Sequence, residues 1–288
     1  MASLSLRSAG CPPLSIRPPP PLPFISGDAF RAYADHSYDE GGRSLDPLAV
    51  QAGHTIFVNA DYLLTFFSDV HPFIQHPYIL ISHNSDFAMP GPYRSFLDDP
   101  RFIAWFVENC DGTIHHKLHP IPIGISNFKG DSVNNPHAFV HIKRRPIART
   151  KLLYLNFSPN TYPPERQPVY DAFCKAPFCW KSSSLSFERY LADLSASKFV
   201  LCPRGSGLDT YRLWESLYMG AIPIVRTSTL DPLYADLPVL IVSDWSQVTK
   251  AYLEQVEEEF RQRTFAMEKL SIDYWLRLIN NFRNPSHR

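Results

Sequence analysis

The stretch from Ser197 to Val225 constrains the fold of this chain more than any other. Residues 199–202 are an apolar run of strand composition, and a short loop follows that carries Arg204, Gly205, Ser206 and Gly207. The spacing from Asp209 to Met219 predicts a helix, stopped by Gly220, and a second apolar strand begins at Ala221. A strand that feeds a glycine loop and then a helix N-terminus suits an anion. The loop amides and the positive end of the helix dipole converge on one point. Arg212 and Glu215 lie three residues apart and share a helix face. The bland reading is an ordinary strand-turn-helix with an Arg212–Glu215 surface pair. Two arginines, two glycines, an acid and flanking apolar strands together favour the anion site.

Strand and helix patterns alternate through the rest of the chain, which argues for parallel sheets covered by helices. In the first half, strands are predicted at 55–58, 78–81, 102–107 and 118–124, with a helix over 61–70 and a short helix or turn at 95–99. Pro120 and Pro122 place the fourth strand at an edge. In the second half, strands are predicted at 151–155, 199–202, 221–225 and 239–242. Helices are predicted at 165–174, 187–194, 209–219 and, with one break, 247–281. Residues 24–51 are polar, contain Gly41-Gly42, and read as a loose segment leading into the fold. Residues 128–149 are polar and basic and read as a linker. The expectation is therefore α/β, with two doubly wound Rossmann-like domains facing a cleft. Residues 1–50 form a Pro-rich leader and loose segment, partly disordered; 51–145 form the first domain and 146–288 the second. Ligands in such sheets sit at the carboxyl ends of strands, which points to the loops 82–86, 109–111, 156–161 and 203–209.

At 288 residues, 44% hydrophobic and 14% aromatic, the chain has material for a substantial core. Its zero net charge lacks the basic surplus of a nucleic-acid binder, so no nucleic-acid partner is expected. No stretch approaches the roughly 18 apolar residues that span a bilayer, and residues 1–23, with Pro18 to Pro21 consecutive, lack an apolar signal segment. A cytoplasmic protein without a transmembrane segment is expected. The five cysteines, Cys11, Cys110, Cys174, Cys179 and Cys202, match neither a disulfide framework nor a zinc site. Reduced thiols are the simpler reading, and Cys174 and Cys179 are the pair that an oxidising compartment would join. His115 and His119 would share a helix face, but Pro120 and Pro122 argue against a helix and no third ligand is evident, so no metal is expected. Trp214 sits in an apolar helix pattern and reads as core, while Trp180 and Trp245 adjoin polar segments and are candidates to line the cleft.

The pattern Lys-Phe-x-Leu-Cys-Pro-x-Gly, then Arg-Leu-Trp-Glu-Ser-Leu, then Gly-Ala-Ile-Pro-Ile-Val resembles the C-terminal half of exostosin-like glycosyltransferases. The segments Ile-Ser-His-Asn-Ser-Asp ending at Asp86, Trp-Phe-Val-Glu-Asn ending at Asn109, and Leu-Asn-Phe-Ser ending at Ser158 with Thr161 and Arg166 are also similar to short members of that family. The resemblance spans about residues 55–245 and is strongest over 199–225. It implies a GT-B architecture, with residues 51–145 on the acceptor side and 146–288 binding a nucleotide diphosphate sugar. It implies a hexosyl- or pentosyltransferase acting on a hydroxyl acceptor, such as a glycan, and placed in the Golgi where a membrane tether accompanies the fold. Arg204, Gly205, Ser206, Gly207, Asp209, Arg212 and Glu215 then fall on the donor site, with the arginines on the diphosphate and Glu215 on the ribose or sugar. Asp86 is the candidate base for the acceptor hydroxyl, with His83 in reserve, and Asn84, Asn109 and Asn156 line the acceptor side or cleft. No cofactor is expected, and the reaction is expected to be metal-independent. The alternative is a non-catalytic nucleotide-sugar or carbohydrate-binding protein of the same fold.

Overall fold

The computed structural model describes residues 23–42, 44–128 and 135–283, and within them two parallel sheets follow one another along the chain. The first joins β1 (His36–Tyr38), β2 (Thr55–Asn59), β3 (Tyr78–His83), β4 (Phe102–Val107) and β5 (Leu118–Pro120) in sequential order. The second joins β6 (Lys151–Leu155), β7 (Cys179–Lys181), β8 (Ser197–Leu201), β9 (Ile222–Arg226) and β10 (Leu240–Val242) in the order β10-β9-β8-β6-β7. Every pairing is parallel. The expected α/β architecture of two parallel sheets is thus present, and the two sheets are wound differently. In the first the chain always steps to the same side. In the second it moves from β6 out to β7, then returns to lay β8 on the other flank of β6. Loops leaving β6 and β8 therefore diverge and open a crevice between them. The glycine loop of residues 203–209 leaves β8 at that point.

The helices are α1 (Gly27–Tyr33), α2 (Leu63–Thr65), α3 (His137–Lys143), α4 (Pro163–Phe173), α5 (Phe187–Ser195), α6 (Tyr211–Tyr218), α7 (Asp231–Tyr234), α8 (Lys250–Arg261) and α9 (Ile272–Asn280). Strand alternation sorts the second sheet into two faces. Leu153, Leu155, Phe199 and Leu201 share a cluster with Val169 and Phe173 of α4 and Leu253 and Val256 of α8. Tyr154 and Val200 belong instead to a core that continues into the first sheet through Trp214, Ile56 and Phe57. Each fully buried side chain of this kind contributes about 1.5–3 kcal/mol. α6 ends at Tyr218 with Met219 as its cap, and Gly220 stops it as expected by taking the left-handed backbone (φ 76°) that favours glycine. β5 stops at Pro120 and lies at the sheet's edge, where a missing amide hydrogen does no harm.

Three expectations change. The segment 24–51 is not loose, because it contains α1, capped by the Ser26 hydroxyl, and β1. Phe24, Ile25 and Phe30 are buried, and the Ile25 amide donates to the Tyr218 hydroxyl at 2.9 Å. A seven-residue helix and a three-residue strand are too short to show a period. The basic stretch 128–149 contains α3, whose Ala138, Phe139 and Ile142 are buried while His137, His141 and Lys143 are exposed. The helix expected over 61–70 breaks into short turns around α2, with a π-type turn at Phe66–Val70 before Pro72. Residues 129–134 of the linker and the Pro-rich leader up to residue 22 lie outside the described residues. Among the described residues no helix is long and apolar enough to cross a membrane.

Helix α9 returns to the first unit, where its Ile272 amide donates to the Pro23 carbonyl at 3.1 Å. The same leading segment is held by Ile125, whose amide donates to the Ile25 carbonyl at 2.8 Å. This contact needs Gly124, at φ 71°, because a Cβ there would lie 2.1 Å from the Ile25 oxygen. Gly124→Ala is expected to lower stability by about 2–5 kcal/mol, adding overpacking to left-handed strain. Gly91→Ala, at φ 51° with open space around it, is expected to lose only about 1–2 kcal/mol. Urea denaturation of the two variants checks the difference.

Candidate functional site

A cavity of about 570 Å³ occupies the crevice. Its walls are Asn156 and Thr161 after β6, Gly205 to Gly207 and Asp209 to Arg212 after β8, Phe187 and Tyr190 of α5, and Glu215 of α6. Asp86, Ile123 and Ser126 of the first unit complete the opposite side. The cavity thus lies between the two sheets at the switch point of the second.

The glycine loop is clamped to the first unit through its backbone. Asp86 Oδ1 accepts from the Gly207 amide at 3.0 Å, and Asn109 Oδ1 accepts from the Asp209 amide at 2.8 Å. Asn109 takes a left-handed backbone (φ 53°), and its Nδ2 donates to the Ser85 carbonyl at 2.9 Å. A Cβ at residue 207 would lie 2.9 Å from Asn109 Nδ2 and 3.1 Å from Asp86 Oδ1, so only glycine permits this approach. The buried Asp209 carboxylate accepts four hydrogen bonds: from the Ile123 amide, Trp214 Nε1, the Thr210 amide and the Tyr234 hydroxyl, at 2.8–3.0 Å. Both of its oxygens are occupied, so Asp209 anchors the loop rather than offering itself to a ligand.

Two arginines face the cavity. Arg166, on α4, is buried, and its guanidinium donates to the carbonyls of Arg204 at 2.8 Å, Ser158 at 3.2 Å and Pro203 at 3.5 Å. It thereby ties the loop after β6 to the loop after β8. Arg212, in the first turn of α6, has a buried Nε with no hydrogen-bond partner. Among the described residues neither guanidinium forms an ion pair with a carboxylate. Burial, and secondarily the nearby Arg212, pulls Arg166 down to about 10. Two guanidinium groups without a salt-bridged carboxylate, side by side in a partly dry cavity, suit an anion. Thr210 makes no side-chain cap on α6, so that helix end is also left facing the cavity.

Glu215 is buried, with Oε2 accepting from the Tyr190 hydroxyl at 2.7 Å. Its other oxygen has no protein donor among the described residues. Burial holds this carboxyl above the ordinary carboxylate range, with Tyr190 and Arg212 pulling the other way.

Of the expected site residues, Asp86, Gly205, Ser206, Gly207, Asp209, Arg212, Glu215 and Asn156 line the cavity together. Asn156 is fixed by donating from Nδ2 to the Tyr154 hydroxyl at 2.9 Å. Arg204 does not line it. Its guanidinium turns back on its own loop, donating to the Gly205 and Ser206 carbonyls, and lies 4.5 Å from the Tyr162 ring centre. Arg204 borders a smaller neighbouring cavity of about 340 Å³ with Glu165 and Arg226. The Gly207 amide is already engaged by Asp86, so it is not free to contact a phosphate. His83 is buried beneath the wall, and Asn84 (φ 62°) lies under α1, where Gly27 leaves room for its side chain. Neither reaches the cavity. Trp214 is fully buried as expected, but Trp180, exposed on the edge strand β7, and Trp245 do not line the cavity. Its aromatic surface comes from Phe187, Tyr190 and Tyr211. Among the described residues no three His, Cys, Asp or Glu side chains form a metal-holding group, and Cys110, Cys174, Cys179 and Cys202 are free thiols. Sequence reasoning gave Arg166 no role and missed Tyr190, because each meets its partner only through the fold.

The raised carboxyl of Glu215 makes a pH-dependent prediction. A carboxyl whose folded value lies above its unfolded one favours folding while neutral, and that advantage is lost as pH rises through the folded value. Glu215→Gln keeps the shape and removes the charge. It is expected to unfold at a higher temperature than the wild type at pH 8, with the difference shrinking towards zero at pH 4. Calorimetry across that range checks it.

Among solved structures, the GtfA/B complex matches with 10% identity and a TM-score of 0.37, over 81% of this chain and 58% of the other. The pneumococcal O-GlcNAc transferase GtfA in complex with UDP and GlcNAc matches with 11% identity and a TM-score of 0.38, over 79% and 53%. This chain therefore spans between half and three fifths of the length of the solved structures it matches. No curated protein matches. Residues 172–283, which include all of the 199–225 pattern, match the family model of the RXYLT1 C-terminal domain, and it is to this family that the C-terminal part of the chain is similar.

Proposed function

We propose that the protein is a glycosyltransferase that binds a nucleotide diphosphate sugar in the 570 Å³ cavity and transfers the sugar to a hydroxyl acceptor. The observation that carries this reading is the Arg166 and Arg212 pair, two cations without carboxylate partners at the switch point of the second sheet. The match of residues 172–283 to the RXYLT1 C-terminal domain supports the same reading for that part of the chain.

In this mechanism Arg166, Arg212 and the amino end of α6 meet the diphosphate charge, and it calls on no metal ion. Glu215 accepts from the ribose or sugar hydroxyls through its unpaired oxygen. Asp86 stands on the opposite wall and takes the proton of the acceptor hydroxyl. The acceptor oxygen then bonds to the anomeric carbon, the bond from that carbon to the diphosphate oxygen breaks, and the nucleoside diphosphate leaves with the electron pair. Whether a hexose or a pentose moves is a question for the donor panel.

A second reading, a nucleotide-sugar-binding protein without turnover, is favoured by one observation. Asp86 Oδ1 is already engaged with the Gly207 amide, so Asp86 has a structural duty independent of any proton transfer. Asp86→Asn separates the two readings, because the amide oxygen still accepts from Gly207 while the base is lost. Under the enzymatic reading, turnover falls at least about a hundredfold with donor affinity retained; in a binding protein there is no turnover to lose.

Titration calorimetry with a panel of UDP and GDP sugars tests the donor site. Arg212→Ala and Arg166→Ala are each expected to weaken donor binding about tenfold to a hundredfold, the scale of a hydrogen bond to a charged group. Arg204→Ala, which props the loop without facing the cavity, is expected to weaken it less. A wild type that binds no nucleotide sugar would rule the reading out.

A further inference from the structure

His83 and Glu108 form a buried pair, 1% and 3% exposed, that the mechanism above does not use. His83 ends β3, and Glu108 follows β4 directly. His83 Nε2 lies 3.1 Å from the Pro122 carbonyl oxygen. A carbonyl oxygen only accepts, so Nε2 carries a hydrogen. Nδ1 then faces Glu108 Oε2 at 3.1 Å and Asn84 Oδ1 at 2.9 Å, while the Asn84 backbone amide is shared between Oε2 at 2.7 Å and Nδ1 at 2.8 Å. Were Nδ1 bare and Glu108 ionised, the single Asn84 amide hydrogen would have to serve both acceptors, with Asn84 Oδ1 also turned towards Nδ1, in a dry site that holds a net negative charge. One proton between them removes both faults, whether it rests on the imidazole or on the carboxyl, because the pair is then neutral overall.

We propose that His83 and Glu108 share one proton and act as positioning residues that fix the wall carrying Asp86. The pair grips both chain segments of that wall. Asn84, held at φ 62° by its amide bond to Glu108, starts the turn that leads to Ser85 and Asp86. Asn109, next to Glu108, donates to the Ser85 carbonyl and accepts from the Asp209 amide. A displacement of either partner is thus passed directly to Asp86 and to the loop that it clamps. Burial pushes the Glu108 carboxyl up, with His83 opposing, which agrees with a proton held close to it. The other titratable groups facing the pair are Asp28 of the α1 layer, Asp209, and Tyr211 of α6.

The positioning role rests on the functional reading, whereas the shared proton does not, so two readouts on the full chain keep them apart. Proton NMR of the unliganded wild type is expected to show a downfield, slowly exchanging proton that is lost in His83→Gln. Its absence would overturn the proposal without touching the donor site. Once wild-type donor binding is established by calorimetry, Glu108→Ala is expected to lower kcat about tenfold to a hundredfold with a smaller change in donor KM. Glu108→Gln, whose amide supplies the missing hydrogen to Nδ1, is expected to restore most of the loss. An Ala variant with wild-type kcat, or a Gln variant as impaired as Ala, would overturn the positioning role. Should Glu108→Ala fail to fold, the NMR signal and the Gln variant decide.

Discussion

The Asp209 carboxylate is a buried point at which the two sheets are tied together. It accepts from Ile123 in the first unit, from Thr210 at the start of α6, from Trp214 within that helix, and from Tyr234 on α7. A fully buried carboxylate without partners would be costly, and burial does push this one up from its ordinary range, but four donors return much of that loss. Because the donors come from separate elements, the carboxylate fixes the direction in which α6 leaves the glycine loop. The cavity exists because that direction is fixed, and Arg212 and Glu215 ride on the helix so placed.

The electrostatics of the site follow from this arrangement. The carboxyls of Glu108, Asp209 and Glu215 are all buried and all raised, while Arg166 is lowered by the same burial. The acids have hydrogen-bond donors; the two arginines facing the cavity have carbonyls or nothing. Glu215, three residues along α6, attracts Arg212 through space but forms no salt bridge with it among the described residues. The Arg212 Nε is left without a hydrogen-bond partner, at the place where we propose that the donor diphosphate binds.

Legibility in the sequence followed the range of the interactions. The path β8, glycine loop, α6 and β9 could be read because each step is local: strand composition, glycine, helix spacing, and Gly220 as a stop. The leading segment could not, since the burial of Ile25 depends on Tyr218, 193 positions away. Arg166 stands in the family-like pattern without a role of its own, because only the return of β8 beside β6 brings the Arg204 carbonyl to it across 38 positions. Arg204 misled for the opposite reason. Its place directly after a strand suggested a ligand, yet the tight loop brings the Gly205 and Ser206 carbonyls within its own reach, and they satisfy it first.

The same reasoning explains why the histidine at the end of β3 is not the group at the cavity. A strand end in a parallel sheet points its last side chains alternately to the two faces. His83 takes the inner one, against the Phe30 and Phe57 rings and the Glu108 carboxyl. The left-handed turn at Asn84 then swings the chain outward, and Asp86, three residues beyond His83, is the first acidic side chain to reach the solvent side of the wall. The division of labour between a buried pair that holds the wall and an exposed carboxylate that faces the glycine loop is therefore set by one backbone angle. An asparagine is well suited to that angle, because it tolerates the left-handed region and its side chain keeps both the His83 ring and Asn127 engaged.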